Sequence, residues 1–244
     1  VAGKRWQKRS QNTPRTFKPN LQKIAVMVSG VKQTMNLWAN CIKRFDKVYY
    51  QPGLQLKEND KYWKKKGVVR PEPYFWQQIK EGNFPKEVTV LPEGWFIGDR
   101  RVKPMYQNGK QMYSEDDYLS PYMAFLRGNG KIQMYNRVPV NSRFGASPQE
   151  IEEVILPEFA RMSGAKGIVR NRRYIEFNIR GNIDQPELGQ TNTWEWFGDP
   201  VFGGSCRLFG GDSDCGGLAL VSVNSVDDRD GYAGSSPVVH FPSK

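Results

Sequence analysis

The sequence predicts an α+β fold: an extended basic N-terminal arm, a small β-hairpin with a short helix, and then a loop-rich mixed β/α extension. Three observations predict it. Residues 1–23 are polar and basic and are interrupted by Pro14 and Pro19, so they lack the apolar side chains a core requires. Two Asn-Gly pairs, Asn108-Gly109 and Asn129-Gly130, are placed as tight hairpin turns are, the second between two apolar runs. Ser147-Pro148-Gln149-Glu150 carries the residue types of a capped helix start.

The elements follow in chain order. Ile24-Ala25-Val26-Met27-Val28 alternates as a strand does, Ser29-Gly30-Val31 marks a turn, and Thr34 to Trp38 supplies the return strand. Asn40 to Tyr50 fits a short helix with Ile42, Phe45 and Tyr49 on one face. Residues 51–92 mix Pro, Lys and aromatics. Within them, Lys61-Tyr62-Trp63-Lys64-Lys65-Lys66 has two readings. The lysines contact phosphates while Tyr62 or Trp63 stacks on a base or a guanidinium, or the run is an exposed helix end with Trp63 packed inward. Residues 88–140 look like β-structure, with hairpins turning at Asn108-Gly109 and at Asn129-Gly130, between Ala124–Leu126 and Ile132–Tyr135.

Ser147 caps the next helix, Ile151, Val154 and Ile155 give its apolar stripe, and Pro157 should kink or end it. Arg170 and Arg172 precede an alternating run, Tyr174 to Ile179, that reads as a strand. If the two arginines share a strand they point to one face, as a second phosphate site or a solvated edge. Beyond Asp184 the chain is rich in Gly, Ser, Asp and Pro, and Leu218 to Val223 is the clear strand candidate. This divides the chain into a basic arm and hairpin (1–50), an α+β extension (51–183) and an acidic Gly/Ser-rich tail (184–244), with the folded mass between about residues 70 and 183.

Composition narrows the function. The 244 residues carry 36 Lys plus Arg against 25 Asp plus Glu, a net charge of +11, which favours a polyanionic or acidic partner. Residues 1–70 hold 17 basic and 3 acidic side chains, and residues 184–244 hold 3 and 9, so the cationic footprint is N-terminal. Mean hydropathy is -0.66 and no apolar run reaches the ~18 residues of a membrane-spanning helix. The opening Val1-Ala2-Gly3-Lys4-Arg5 has neither an initiator Met nor an apolar signal core, as in a processed or trimmed chain.

Three cysteines (Cys41, Cys206, Cys215) and one histidine (His240) give no disulfide framework, no zinc spacing and no regular nucleophile–histidine arrangement. Neither phosphate-loop motif occurs, and Gly128-Asn129-Gly130-Lys131 is a turn. The expectation is a protein that is not an enzyme, with no catalytic residues, no metal and no cofactor. The Gly- and Asp-rich stretch from Gly203 to Gly217 is read as a loop carrying two thiols. Its Cys, Asp and Arg are also the residue types that a covalently bound linear tetrapyrrole needs.

The block Thr13-Pro14-Arg15-Thr16-Phe17-Lys18-Pro19-Asn20-Leu21-Gln22-Lys23-Ile24, followed by Val26-Met27-Val28-Ser29-Gly30, resembles the bacterial-type large-subunit ribosomal protein family twenty-eight. That family carries an Arg-Thr-aromatic, then Asn-Leu-Gln-Lys, an apolar strand and a Gly turn. Thr34 to Arg44 follows the family's order, and Gly3-Lys4-Arg5 resembles its opening. The likeness spans residues 1–48; Met35, Asn36 and Leu37 stand where family members carry more Lys and Arg. A long foreign extension is common in organellar ribosomal proteins, so the resemblance implies a plastid or mitochondrial ribosome. The partners it implies are ribosomal RNA and neighbouring ribosomal proteins.

A basic, proline-containing arm can thread between RNA helices, ordered by its partner and strengthened by counterion release. Lys4, Arg5, Lys8, Arg9, Arg15, Lys18 and Lys23 are the candidate phosphate contacts, and Asn20 and Gln22 the candidate readers of a base edge or ribose hydroxyl. The rival reading is a linker of a phycobilisome-type antenna, seated in acidic phycobiliprotein rings, with a bilin on Cys41, Cys206 or Cys215. Basic charge, 13% aromatic residues, 24 Gly and 16 Pro suit that role too.

Overall fold

The computed structural model describes residues 47–99, 101–114 and 117–243. The hairpin expected at Ile24–Val28 and Thr34–Trp38 and the first part of the helix expected at Asn40–Tyr50 lie outside them. The fold is α+β, as the sequence predicts, though several elements differ from expectation.

The first sheet is antiparallel. Its strands are β1 (Lys47–Gln51), β4 (Gly94–Gly98), β10 (Pro237–Pro242) and β5 (Ile168–Asn171), in that order. Residues 47–50 are thus strand, not helix: β1 pairs with β4 from Lys47↔Gly98 to Gln51↔Gly94. On one face Tyr49, Phe96 and His240 stand in register across three strands, with ring centroids 5.4 and 4.3 Å apart. On the other, Ile97, Val239 and Phe241 pack with Tyr118, Leu119 and Phe159. Gly94 is required where β4 meets β10, because a Cβ there would lie 2.3 Å from the Phe241 carbonyl oxygen and its φ is +147°.

The second four-stranded sheet runs β8 (Val221–Ser225), β7 (Cys206–Gly210), β6 (Trp194–Val201), β9 (Ala233–Ser235), with β6 parallel to β9 and the other pairs antiparallel. Alternation along β6 sends Trp196 and Phe197 to opposite faces, each into a core. Trp196 meets Met123, Leu126, Ile151 and Ile155. Phe197 meets Phe75, Tyr174 and Phe177. A bulge between Trp196 and Pro200 lets a proline sit in this strand. A two-residue pair, β2 (Leu54–Gln55) with β3 (Val90–Leu91), completes the β-structure among the described residues.

The segment from 184 to 244 is therefore not a peripheral tail. It supplies all of the second sheet, and Leu218–Val223 is not its principal strand: β8 begins at Val221 and four further strands surround it in sequence. Its last strand, β10, lies inside the first sheet between β4 and β5.

The helices are α1 (Pro73–Glu81), α2 (Ser120–Gly128), α3 (Pro148–Glu150), α4 (Leu156–Ser163) and α5 (Tyr174–Ile183). The expected capping box is present: Ser147 Oγ accepts from Glu150 N at 3.2 Å and Glu150 accepts from Ser147 N at 3.1 Å. Pro157 does not end the helix. A π-helical turn, Ile151–Ile155, joins α3 to α4; the wider turn accommodates the proline ring and its missing N–H.

Two expected β-elements are helices. Ala124–Leu126 lies in α2, and Asn129-Gly130 stops that helix instead of turning a hairpin: Gly130 N and Lys131 N donate to Arg127 O and Leu126 O, and Gly130 has φ +65°. At Asn108-Gly109 the turn itself is present, with φ values of +53° and +86°, but its flanks are not strands. Tyr174–Ile179 is helix α5, whose apolar residues alternate because the helix is buried nearly all round. Two of its buried polar residues are satisfied inside. Glu176 binds Arg170 at 2.6 and 2.8 Å, and Asn178 donates to the Val69 and Leu218 carbonyls. Gly181 allows the close approach, since a Cβ there would lie 2.3 Å from Leu218 Cδ2.

Candidate nucleic-acid interface

The arm residues predicted to hold RNA, Lys4, Arg5, Lys8, Arg9, Arg15, Lys18, Asn20, Gln22 and Lys23, lie outside the described residues, as does Cys41. What the structure adds is the disposition of the remaining cations.

Lys61–Lys64 is a single 3-10 turn. It begins at Asp60, whose carboxylate accepts from Lys57 N at 2.7 Å and whose carbonyl accepts from Trp63 N at 3.1 Å. Trp63 is 8% exposed. Its indole N–H donates to Lys57 O at 2.8 Å, and its ring meets Tyr62 and Trp76 edge-on at 5.0 and 6.2 Å. Burying Trp63 contributes about 2–3 kcal/mol and fixes the turn to the body. Trp63 is thus a core anchor and does not stack on a ligand, which answers one of the two sequence readings. Tyr62 is half-buried, with the Lys65 ammonium 5.6 Å from its ring centre.

With Trp63 anchored, Lys57, Lys61, Lys64, Lys65 and Lys66 are all exposed on one short stretch. The acidic residues around them are engaged. Glu58 holds Lys80 at 2.6 Å and Arg70 at 3.8 Å, and the Asp60 carboxylate accepts from Lys57 N. This run continues the N-terminal basic footprint onto the folded body.

The arginines of the body behave differently. Arg143 is fully buried. It binds Asp99 at 2.6 Å and Asp117 at 2.5 Å, and its guanidinium lies 4.3 and 4.9 Å from the rings of Tyr113 and Tyr118. Burial opposes its charge, but the two carboxylates hold it well above the ordinary arginine range. Asp99, also bound by Arg101, is kept below the usual carboxylate range by those cations against its own burial.

Arg170 and Arg172, expected as a phosphate site or a solvated edge, are neither. Arg170 is bound by Glu176, and Arg172 forms a bidentate pair with Glu195 at 2.7 and 2.9 Å inside the core. The shared face expected of them also fails, because β5 ends at Asn171. Further out, Arg207 binds Glu152 and Arg229 binds Glu150, each through two contacts. These pairs fasten the fold and do not offer charge to a ligand. The acidic partners of Arg143, Arg170, Arg172, Arg207 and Arg229 sit 6 to 79 residues away in the chain, so no local motif announces them.

Cys206 and Cys215 are free thiols. Cys206 is half-buried in β7, with Sγ 3.8 Å from Ser205 Oγ. Cys215 is exposed, and partial desolvation of its thiol, with Asp212 beside it, raises its pKa above the ordinary thiol value. Asp212 Oδ1 accepts from Asp214 N at 2.8 Å, while Arg207 is held by Glu152. Cys215 Sγ donates to Asp212 Oδ2 at 3.8 Å, so Cys215 and Asp212 are engaged with each other while Arg207 is held elsewhere. His240 stacks on Phe96 and its Nε2 lies 2.9 Å from the Glu93 carbonyl oxygen, with burial lowering its pKa. Among the described residues no three His, Cys, Asp or Glu side chains gather as metal ligands, and no helix is long and apolar enough to cross a membrane. No protein-family model, curated protein or solved structure matches this chain.

Proposed function

We propose that this protein is a structural component of a large ribosomal subunit in a plastid or mitochondrion. In this reading it holds ribosomal RNA through its basic N-terminal arm, and residues beyond the arm pack against neighbouring ribosomal proteins. It performs no chemistry of its own. The observation that carries the reading is the division of positive charge. Arg143, Arg172, Arg207 and Arg229 of the body turn inward onto Asp and Glu, whereas Lys57, Lys61, Lys64, Lys65 and Lys66, at the end of the basic run of residues 1–66, face solvent. The resemblance of Arg15 to Lys23 to the ribosomal family supports the same partner.

The test is binding of the full chain to large-subunit ribosomal RNA at increasing salt. Six to ten phosphate contacts predict a loss of roughly 10³–10⁵ in affinity between about 50 and 200 mM salt. Affinity that does not change with salt, or no binding, would refute the reading. A bilin-sized mass increment on Cys41, Cys206 or Cys215 in chain isolated from its source would instead favour the antenna linker.

A further inference from the structure

A cleft of about 470 Å³ opens on the body between three loops. Tyr106 and Lys110 come from the first loop, Tyr135 and Arg137 from the second, and Asp230 and Tyr232 from the third. The volume lies within the ~300–1,000 Å³ of small-ligand pockets.

The walls are fixed before any ligand arrives. Gly109 (φ +86°) lies so close to the second loop that a Cβ would come within 1.9 Å of the Arg137 carbonyl oxygen. Gly145 (φ +75°) lets Tyr135 lie against it, with its would-be Cβ 2.6 Å from the ring. The buried Gln111 amide joins the first and third loops: its Oε1 accepts from Gln107 N at 3.2 Å and its Nε2 donates to Gly231 O. Asn192 Oδ1 holds Tyr106 N at 2.8 Å, and Gly145 N holds Asp230 O at 2.9 Å.

Inside the cleft the aromatic faces remain available. Tyr106 and Tyr232 are 42% and 41% exposed, and their rings meet at 84° with centroids 6.4 Å apart, making a corner. Tyr232 is braced from behind by Trp194, 6.4 Å away, whose backbone N–H donates to the Tyr232 carbonyl at 2.8 Å. Asp230 is half-buried and binds the Tyr232 backbone N–H at 3.0 Å as well as its phenol, which pushes that phenol up to about 12 and keeps it neutral. Lys110 and Arg137 are exposed at the rim. The cleft thus offers two perpendicular ring faces, two cations and one engaged carboxylate.

We propose that this cleft receives a single unpaired nucleotide of RNA. The base stacks on Tyr106 or Tyr232, with the other ring meeting its edge. Arg137 and Lys110 hold the flanking phosphates, and the Asn108 and Asn136 amides lie within the same lining for base or ribose contacts. The net cationic rim favours an anionic occupant over a peptide. The inference rests on the RNA-binding reading above and adds to it a second contact, one that recognises single strands, remote in sequence from the arm.

The test uses the full chain and a short single-stranded oligouridylate substituted with thiouridine, cross-linked by light and mapped by mass spectrometry. A blunt RNA duplex of equal length serves as control. Cross-links at Tyr106, Tyr135 or Tyr232 are expected. Tyr232→Leu and Arg137→Gln should each weaken single-strand binding about 10-fold and leave duplex binding unchanged, as loss of one stacked base or phosphate contact does. Cross-links confined to residues 1–66 would overturn the cleft and leave the arm's role standing. Cross-links nowhere would overturn both. Because mapping uses the unmutated chain, a variant that fails to fold does not remove the test.

Discussion

Asp199 shows what a single buried charge does in this fold. It sits in β6 beside the bulge, wholly buried, and its Oδ2 accepts the backbone N–H of Tyr174 at 2.6 Å, so it caps α5 from another element. Burial pushes its carboxyl up to about 7, against that hydrogen bond and the nearby Arg173 cation. The folded value lies above the unfolded one, near 3.9. The folded state therefore keeps a proton that the unfolded chain has released. Stability from this group is complete below about pH 4 and is lost as pH rises to about 7, by up to ~4 kcal/mol. Asp199→Asn keeps an acceptor for Tyr174 and does not ionise. Urea midpoints of the variant should lack the decline that the parent shows between about pH 4 and 7. His240, Asp99 and Glu176 are held low and raise stability with pH near and within that window, but they do so in both proteins, so the difference between the two curves isolates Asp199. Equal slopes in the two proteins would refute the assignment.

At the scale of elements, local chemistry was legible wherever it was self-contained. Ser147, Pro148 and Glu150 specify a helix start through bonds made within four residues, and the structure has that start. Ser147→Ala removes one of the two reciprocal bonds and should cost about 1 kcal/mol in a denaturation experiment. Glu150→Ala should cost more, because Glu150 also accepts from Gln133 N at 2.7 Å and binds Arg229 at 2.9 Å. A smaller loss for Glu150→Ala than for Ser147→Ala would show that the box, and not this junction of three segments, is what the residue serves. Elements whose form depends on distant partners were not legible. The alternation from Tyr174 to Ile179 has the strand period, yet a helix buried on all sides has no polar face to mark 3.6. Asn129-Gly130 supplies a positive φ, which a helix stop uses as readily as a hairpin does, and the buried Arg127 decides between them by donating to the carbonyls of Pro139, Val140, Ser142 and Phe144. Helix α1 did leave a signal, Pro73 at its start and Gly82 at φ +81° past its end, inside a stretch that composition made look irregular. In the candidate cleft only the Asn108-Gly109 turn was visible in advance. The three tyrosines meet because loops about 30 to 130 residues apart converge, a relation no local spacing encodes.

At the scale of the whole molecule, two groups of cations among the described residues have different physical tasks. Arg143, Arg172, Arg207 and Arg229 are held by carboxylates in the fold, where removing one partner strands the other. Lys61, Lys64, Lys65 and Lys66 are exposed, with the Lys65 ammonium near the Tyr62 ring, and Trp63 anchors their turn to the core. The two populations should therefore separate in two measurements on the full chain. Replacing the four lysines with Gln should leave the urea midpoint in place, since no packed group or buried pair is touched. The same change should flatten the salt dependence of RNA binding: each phosphate contact contributes ~0.7–0.9 to the slope of log affinity against log salt, so losing four lowers it by roughly 3. Arg207→Gln and Arg229→Gln should do the reverse, lowering the midpoint by freeing Glu152 and Glu150 while leaving the salt slope unchanged. If the lysine variant kept the parent's slope, this lysine run would contribute nothing to holding the polyanion, and the binding would rest on residues 1–46 and on the cleft of Lys110 and Arg137. If the arginine variants flattened the slope, the inward pairs would be exchanging partners with RNA, and the division of charge would not be the basis of binding.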